Sequence, residues 1–312
     1  MQQPVKLKAV SKSLMSLIAF FGALESGLIY ALVALGVLIS FRILDFPDLT
    51  ADGSFPLGGA IAGISIVSGI DPWIACGLGM LAGAAAGMVT AFLHVKLGIL
   101  QLLASILVMV ALYSVNLRIM GAPNLPLLGE ETVFSNLVTN ENGYWMRCVI
   151  IGGVVLIAKL VLDLFFSTEA GLSMRATGSN LRMAQAQGIN TSWMTIIGMA
   201  ISNALVALGG ALFVQTQGGA DISIGIGTIV IGLAAVIIGE TIIPAKRIWL
   251  ITFAVVIGAI IYKLFIQVAL SSNTLRSIGF GSQDLNLITA LLVVIALQLP
   301  TIKSKLLSSR RA

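Results

Sequence analysis

Residues 27–63 read GLIYALVALGVLISFRILDFPDLTADGSFPLGGAIAG. An apolar run without charge ends at Phe41, a break rich in Asp, Pro and Gly follows, and a second, shorter apolar run starts near Ser54. Pro47 and Pro56 remove backbone donors and, with the glycines around them, interrupt helix. A long greasy run, a breaker and a short greasy run read as a membrane-spanning helix followed by a broken or re-entrant one.

The rest of the chain extends this pattern. Its 312 residues are 58% hydrophobic and 10% charged, with mean hydropathy +1.03; a soluble domain carries about 25% charged residues. Glu25 is the only charge between Lys12 and Arg42, and none occurs from Met183 to Ala220. About 20 apolar residues cross a bilayer as helix, and the strands of an outer-membrane barrel would alternate instead. The 33 glycines suit close helix packing in lipid. Nine apolar segments stand out, at roughly 14–41, 54–70, 72–93, 97–117, 147–166, 193–216, 225–239, 248–270 and 285–300. The expected organisation is a short cytoplasmic N-terminus (1–13), a permease-like membrane domain (14–300) and a basic cytoplasmic tail (301–312).

The basic ends, MQQPVKLKAVSK and KSKLLSSRR, predict both termini in the cytoplasm. Two cytoplasmic ends need an even number of crossings, so one segment does not cross. Segment 54–70, short and interrupted, is the candidate, leaving about eight transmembrane helices plus a re-entrant or broken one; the alternative is that 54–70 spans and another segment does not. Lys96, Arg175, Arg182, Lys246 and Arg247 then fall inside, and residues 42–53 and the loop 118–146 fall outside. A cleaved secretory signal is excluded, because the first apolar run continues to Phe41. An internal echo adds to this: ALVALG occurs at 31–36 and 204–209, and at the same offset Asp48 matches Asp221, Thr50 matches Ser223 and Gly59 matches Gly232. Transporters are often built from two such repeats.

Intramembrane polar residues are functional candidates. Glu25 is either a carboxylate on the permeation path or a residue bonded to a neighbouring helix. Asp48, Thr50, Asp52 and Ser54 form either the mouth of that path or a capping network; Asn203, Gln215 and Gln217 are weaker candidates for the opposite wall. Lys159 and Asp163, four apart, are expected to pair; Lys263 either neutralises Glu25 or reaches a headgroup. Cys76 and Cys148 read as buried small hydrophobes, and the single histidine, His94, has no ligand cluster around it.

One polar island lies between two long apolar runs: STEAGLSMRATGSNLRMAQAQGIN, residues 167–190. Asn180 can cap a two-turn helix that Gly188 ends in a left-handed conformation. Leu181, Ala184 and Met183 would form its apolar face, with Arg175 and Arg182 on the solvent side. By composition alone it could be an ordinary connector.

Four stretches carry a resemblance: residues 27–63 above, KLGILQLLASILVMVALYSVNLRIMGAPNLPLLG (96–129), GLSMRATGSNLRMAQAQGIN (171–190) and GGADISIGIGTIVIGLAAVIIGE (218–240). Together they resemble the permease subunits of ABC importers for branched-chain amino acids and ribose. The 96–129 stretch is similar to a branch linked to aromatic amino acids such as tryptophan. The resemblance implies a type II importer-like permease in the bacterial cytoplasmic (inner) membrane, paired with a second permease chain, expected to be a homodimer with a paralogous partner as the alternative. It also implies an ATPase subunit beneath and an extracytoplasmic substrate-binding protein above. In that family the cytoplasmic signature is a coupling helix seated in the ATPase. Carried over, it implies docking roles for Arg175, Ala176, Gly178, Asn180, Arg182, Met183, Ala184, Gly188 and Ile189.

No G-x-x-x-x-G-K-[ST] phosphate loop occurs in this chain, so ATP and Mg are expected on the partner, with no cofactor here. No nucleophile and base pair points to an enzyme, and the net charge of +5 reports orientation in lipid rather than nucleic-acid binding. A proton- or sodium-driven transporter, the rival, usually carries acidic residues paired across helices, and here only Glu25 lies deep in a span. A sugar or nucleoside is the alternative cargo.

Overall fold

The computed structural model describes residues 3–135 and 143–271. Helix α1 (Gln3–Val37) runs into a π-helical turn, Leu38–Ile43, followed by α2 (Ala51–Val67), α3 (Pro72–Leu97), α4 (Gln101–Met120) and α5 (Gly143–Ser167). Two short helices, α6 (Glu169–Ser179) and α7 (Leu181–Ala186), lead to α8 (Thr191–Gln217), α9 (Thr228–Ile242) and α10 (Ile248–Ser271). Strands β1 (Asn124–Pro126) and β2 (Gly219–Asp221) pair antiparallel and clip the α4–α5 connection to the start of the α8–α9 connection. Among the described residues, seven helical segments are long and apolar enough to cross a membrane: Leu17–Ile43, Pro72–Leu97, Gln101–Met120, Trp145–Ser167, Thr191–Gln217, Ile222–Ile242 and Ile248–Val268. The segment expected at 285–300 and the C-terminal tail lie outside the described residues.

The break after the first span has a local cause. The helix widens to π geometry over Leu38–Ile43, and Asp45 takes a left-handed φ of 54°, which Asp tolerates better than most side chains. Helix α2 then restarts at Ala51, already fully inside the protein. It packs on α8 so closely that a Cβ on Gly58 would lie 1.9 Å from the Ala207 carbonyl oxygen; small residues permit this approach where lipid supplies no hydrophobic drive.

The internal echo is structural. Gly36 of α1 lies against Ser202 and Val206 of α8, and its counterpart Gly209 lies against Ile29 and Val33 of α1. These two contact sets are the same positions exchanged between the repeats, with the helices running in opposite directions. The Asp48 carboxylate accepts from Thr50 N at 2.9 Å, as Asp221 does from Ser223 N at 2.7 Å. Gly59 abuts Val214 of α8, while Gly232 abuts Val37 of α1. The fold is an all-α polytopic membrane protein with an inverted internal repeat.

One expectation is corrected. The charge pattern puts residues 42–53 on the side opposite 167–192. Instead a Cβ on Gly178 of α6 would meet the Ile43 carbonyl at 1.8 Å, and Arg42 pairs with Glu240 at 2.9 Å, at the far end of α9 from β2. The start of the first span lies at the other end, where Cys148 bonds the Phe21 carbonyl. Helix α2 traverses between the ends: it begins beside Thr90 and Asn203, and its Gly63 abuts Leu125 and Ala220 of the β-clip. It is a broken helix rather than a re-entrant one. The basic N-terminus is a misleading guide here, because the first helix does not always set orientation. Counted with Arg42, the basic residues still gather at the 167–192 end.

Candidate functional site

The connector emerges from α5 through a cap in which Thr168 Oγ1 accepts from Gly171 N at 3.3 Å. Gly171 and Gly178 fit α6 under Phe165 and Ile43, where no side chain has room; Met174 and Thr177 complete its buried face. Asn180 ends α6 and starts α7, its Oδ1 accepting from Met183 N at 3.0 Å. Gly188 follows at φ 82°. Both end signals read in the sequence therefore form.

The implied docking residues divide in two. Arg175, Arg182, Met183 and Gly188 are exposed, and Ala176 and Ile189 are half-buried. Leu181 and Met183 are 52% and 63% exposed, an apolar pair projecting from the helix tip. Ala184, expected on that outward face, is only 3% exposed and sits on the α7 face turned into the chain. Leu181 and Ala184, three apart, are neighbours on the helix surface, but the chain packs on the small Ala184 alone and leaves Leu181 and Met183, to either side of it, outside. Beside α6, Arg175, Gly178 and Ser179 share a polar depression with Arg42, Asp45 and Ile248.

The second candidate is the break before α2. Asp48 accepts from Asn203 Nδ2 at 2.7 Å, and Ser54 Oγ donates to Asn203 Oδ1 at 2.7 Å. The Thr50 and Thr90 hydroxyls lie 2.8 Å apart. All five side chains are at most 1% exposed. Such a closed network locks α2, α3 and α8 together and presents nothing to a passing solute in this conformation, which favours the capping alternative for Asp48, Thr50 and Ser54. Asp52 differs. It caps α9 by accepting from Gly227 N at 3.2 Å and Ile229 N at 2.8 Å, and it also lines an open pocket between α2, α4 and the start of α9.

The remaining candidates scatter. Gln215 accepts from Val133 N at 3.0 Å and donates to Cys76 Sγ at 3.1 Å, tying the α4–α5 connection to the bundle; Gln217 is exposed. Glu25 is half-buried within electrostatic reach of Arg147. Lys263 meets neither alternative, since its Nζ lies 3.6 Å over the Tyr30 ring. Lys159 and Asp163 pair as expected, and Asp163 also accepts from Thr252. Both cysteines are free and buried. Sequence reasoning missed Thr90 and Asn116, polar residues inside apolar helices whose only signal was that they interrupt the grease.

Comparison with known proteins agrees with this architecture. The family described as "Branched-chain amino acid transport system / permease component" matches residues 19–298. A "Tyrosine transport system permease protein" of Clostridioides difficile (strain R20291) is 41% identical over 87% of this chain and 88% of its own length. An uncharacterized protein of Rickettsia prowazekii (strain Madrid E) is 33% identical over 88% of this chain and 95% of its own. Among solved structures, PsaBC from Streptococcus pneumoniae in complex with Fab superposes with TM-score 0.51 at 13% identity, covering 89% of each chain, a likeness of fold.

Proposed function

Because the chain belongs to the family of branched-chain amino acid transport permease components, we propose that it forms half of the path of an ATP-driven importer for an amino acid, aromatic and tyrosine-like. The observation that carries this is the connector: a capped helix anchored inward by Ala184 with Leu181 and Met183 projecting. Exposed apolar side chains on a rigid loop between spans suit a protein partner that buries them. That partner is an ATPase subunit, which supplies ATP and Mg. A second copy of this chain completes the path, and an extracytoplasmic binding protein delivers the solute. The relative named for tyrosine transport supports the cargo.

With the ATPase below, 167–192 faces the cytoplasm of the bacterial inner membrane. The start of the first span, near Leu17, then faces outward, since it shares an end with the β-clip rather than with the connector. The experiment is tyrosine uptake into proteoliposomes holding the purified complex. ATP-dependent uptake that requires the ATPase and binding protein is expected. Uptake driven by an ion gradient without them would overturn the proposal in favour of a secondary transporter.

A further inference from the structure

Asn116, on the inner side of α4, is fully buried. Its Nδ2 donates to the Gly53 carbonyl at 3.3 Å, while its Oδ1 has no hydrogen-bond partner. Exchanging the two amide atoms would set two carbonyl oxygens together, so the free group is an acceptor. A buried acceptor left without a donor is costly, and native proteins seldom tolerate one without a use. Asn116 forms part of the wall of the same pocket that Asp52 lines. Tyr113, Val110, Met109 and Ile226 supply a mainly apolar remainder, and the cavity holds about 390 Å³. Asp52 spends one acceptor site of each oxygen on the α9 amides; a carboxylate offers about four. No lysine or arginine is among the described residues lining the pocket.

The wall thus holds one orphan carbonyl, closed off in this conformation and brought to the pocket by a turn of the Asn116 side chain, together with one carboxylate with spare capacity and an apolar, aromatic surface. Its chemistry suits a solute with an ammonium group and a hydrophobic body. A sugar would leave many hydroxyls unpaired against that surface, at a cost for each. We propose that this pocket is a station on the permeation path where the Asn116 carbonyl, beside Asp52, receives the ammonium group of the amino acid. This rests on the transport reading above and names the part of the solute that the permease itself senses.

The test uses the complete complex, with Cys76→Ser and Cys148→Ser removing the native thiols and Ser114→Cys placing a single thiol on the pocket wall. Tyrosine uptake by the unmodified complex is measured separately and bears only on the transport reading. A water-soluble cationic thiosulfonate is expected to label the introduced thiol at least tenfold faster than an anionic one. Tyramine is expected to slow the labelling, and 3-(4-hydroxyphenyl)propionate, which lacks the amine, to leave it unchanged. Adding Asn116→Leu should raise the tyramine concentration for half-protection about tenfold. Absent labelling, equal labelling by both charges, or protection by the amine-free acid as good as by tyramine would each overturn the station, whether or not the leucine variant assembles.

Discussion

The joint before α2 and the connector α6–α7 are both polar islands in a greasy chain, and they are opposite in kind. At the joint, Asp48, Thr50, Ser54, Thr90 and Asn203 are buried and bonded to one another. At the connector, charged side chains and the apolar Leu181 and Met183 are exposed together. Polar groups at membrane depth that satisfy each other hold helices in register, because lipid offers no alternative partner. Apolar groups left outside on a rigid, capped helix have nothing of their own to pack on. In this chain the buried Asp48 carboxylate belongs to the framework, while Met183 at the connector stays exposed.

The sharpest contrast is expected from Asn203→Leu. It removes the donor to Asp48 and the acceptor of the Ser54 hydroxyl at once, leaving the buried carboxylate with only Thr50 as partner, and should cost about 3 kcal/mol or more, the upper end for a charged acceptor. Thermal unfolding of the purified protein in detergent checks this; a wild-type melting temperature would mean the network is not a framework. Ala184→Asp should have an intermediate effect of about 1–3 kcal/mol, since a surface helix can shift to hydrate the new carboxylate. The same melt reads it. Because Ala184 faces its own chain, that change cannot separate docking from packing. Arg182→Ala should have the smallest effect on the fold, within about 0.5 kcal/mol for an exposed side chain. It should slow ATPase association and flatten its salt dependence, as a rim charge does. Surface-binding kinetics at two salt concentrations would expose an error if the salt slope stayed the same.

How much of this was legible in the sequence follows from the range of the forces involved. Hydropathy runs and local caps are short-range, so the spans, Asn180 and Gly188 could be read directly. The repeat was legible because its positions are pinned by reciprocal helix contacts, Gly36 with Val206 and Gly209 with Val33. Sidedness was not, because it hung on three lysines near the N-terminus while Gly178 meets Ile43 across more than a hundred residues. The inward turn of Ala184 was hidden for a similar reason: a six-residue helix is too short for periodicity to say which flank packs. Asp52 could not be separated from Asp48 by sequence, since their difference lies in which distant amides each one meets.

The most direct test of the connector as a coupling element is Met183→Asp in the reconstituted complex. Met183 is mostly exposed, so the variant should insert, dimerise and melt like the wild type. If Met183 is seated in the ATPase, the new carboxylate is buried unpaired at that interface, and binding should weaken at least tenfold, about 1.4 kcal/mol or more. ATPase pull-down and substrate-stimulated ATP hydrolysis are measured together. Loss of both with an unchanged melt is the expected result; full ATPase binding and normal stimulated hydrolysis would contradict the assignment of residues 180–189 as the docking element.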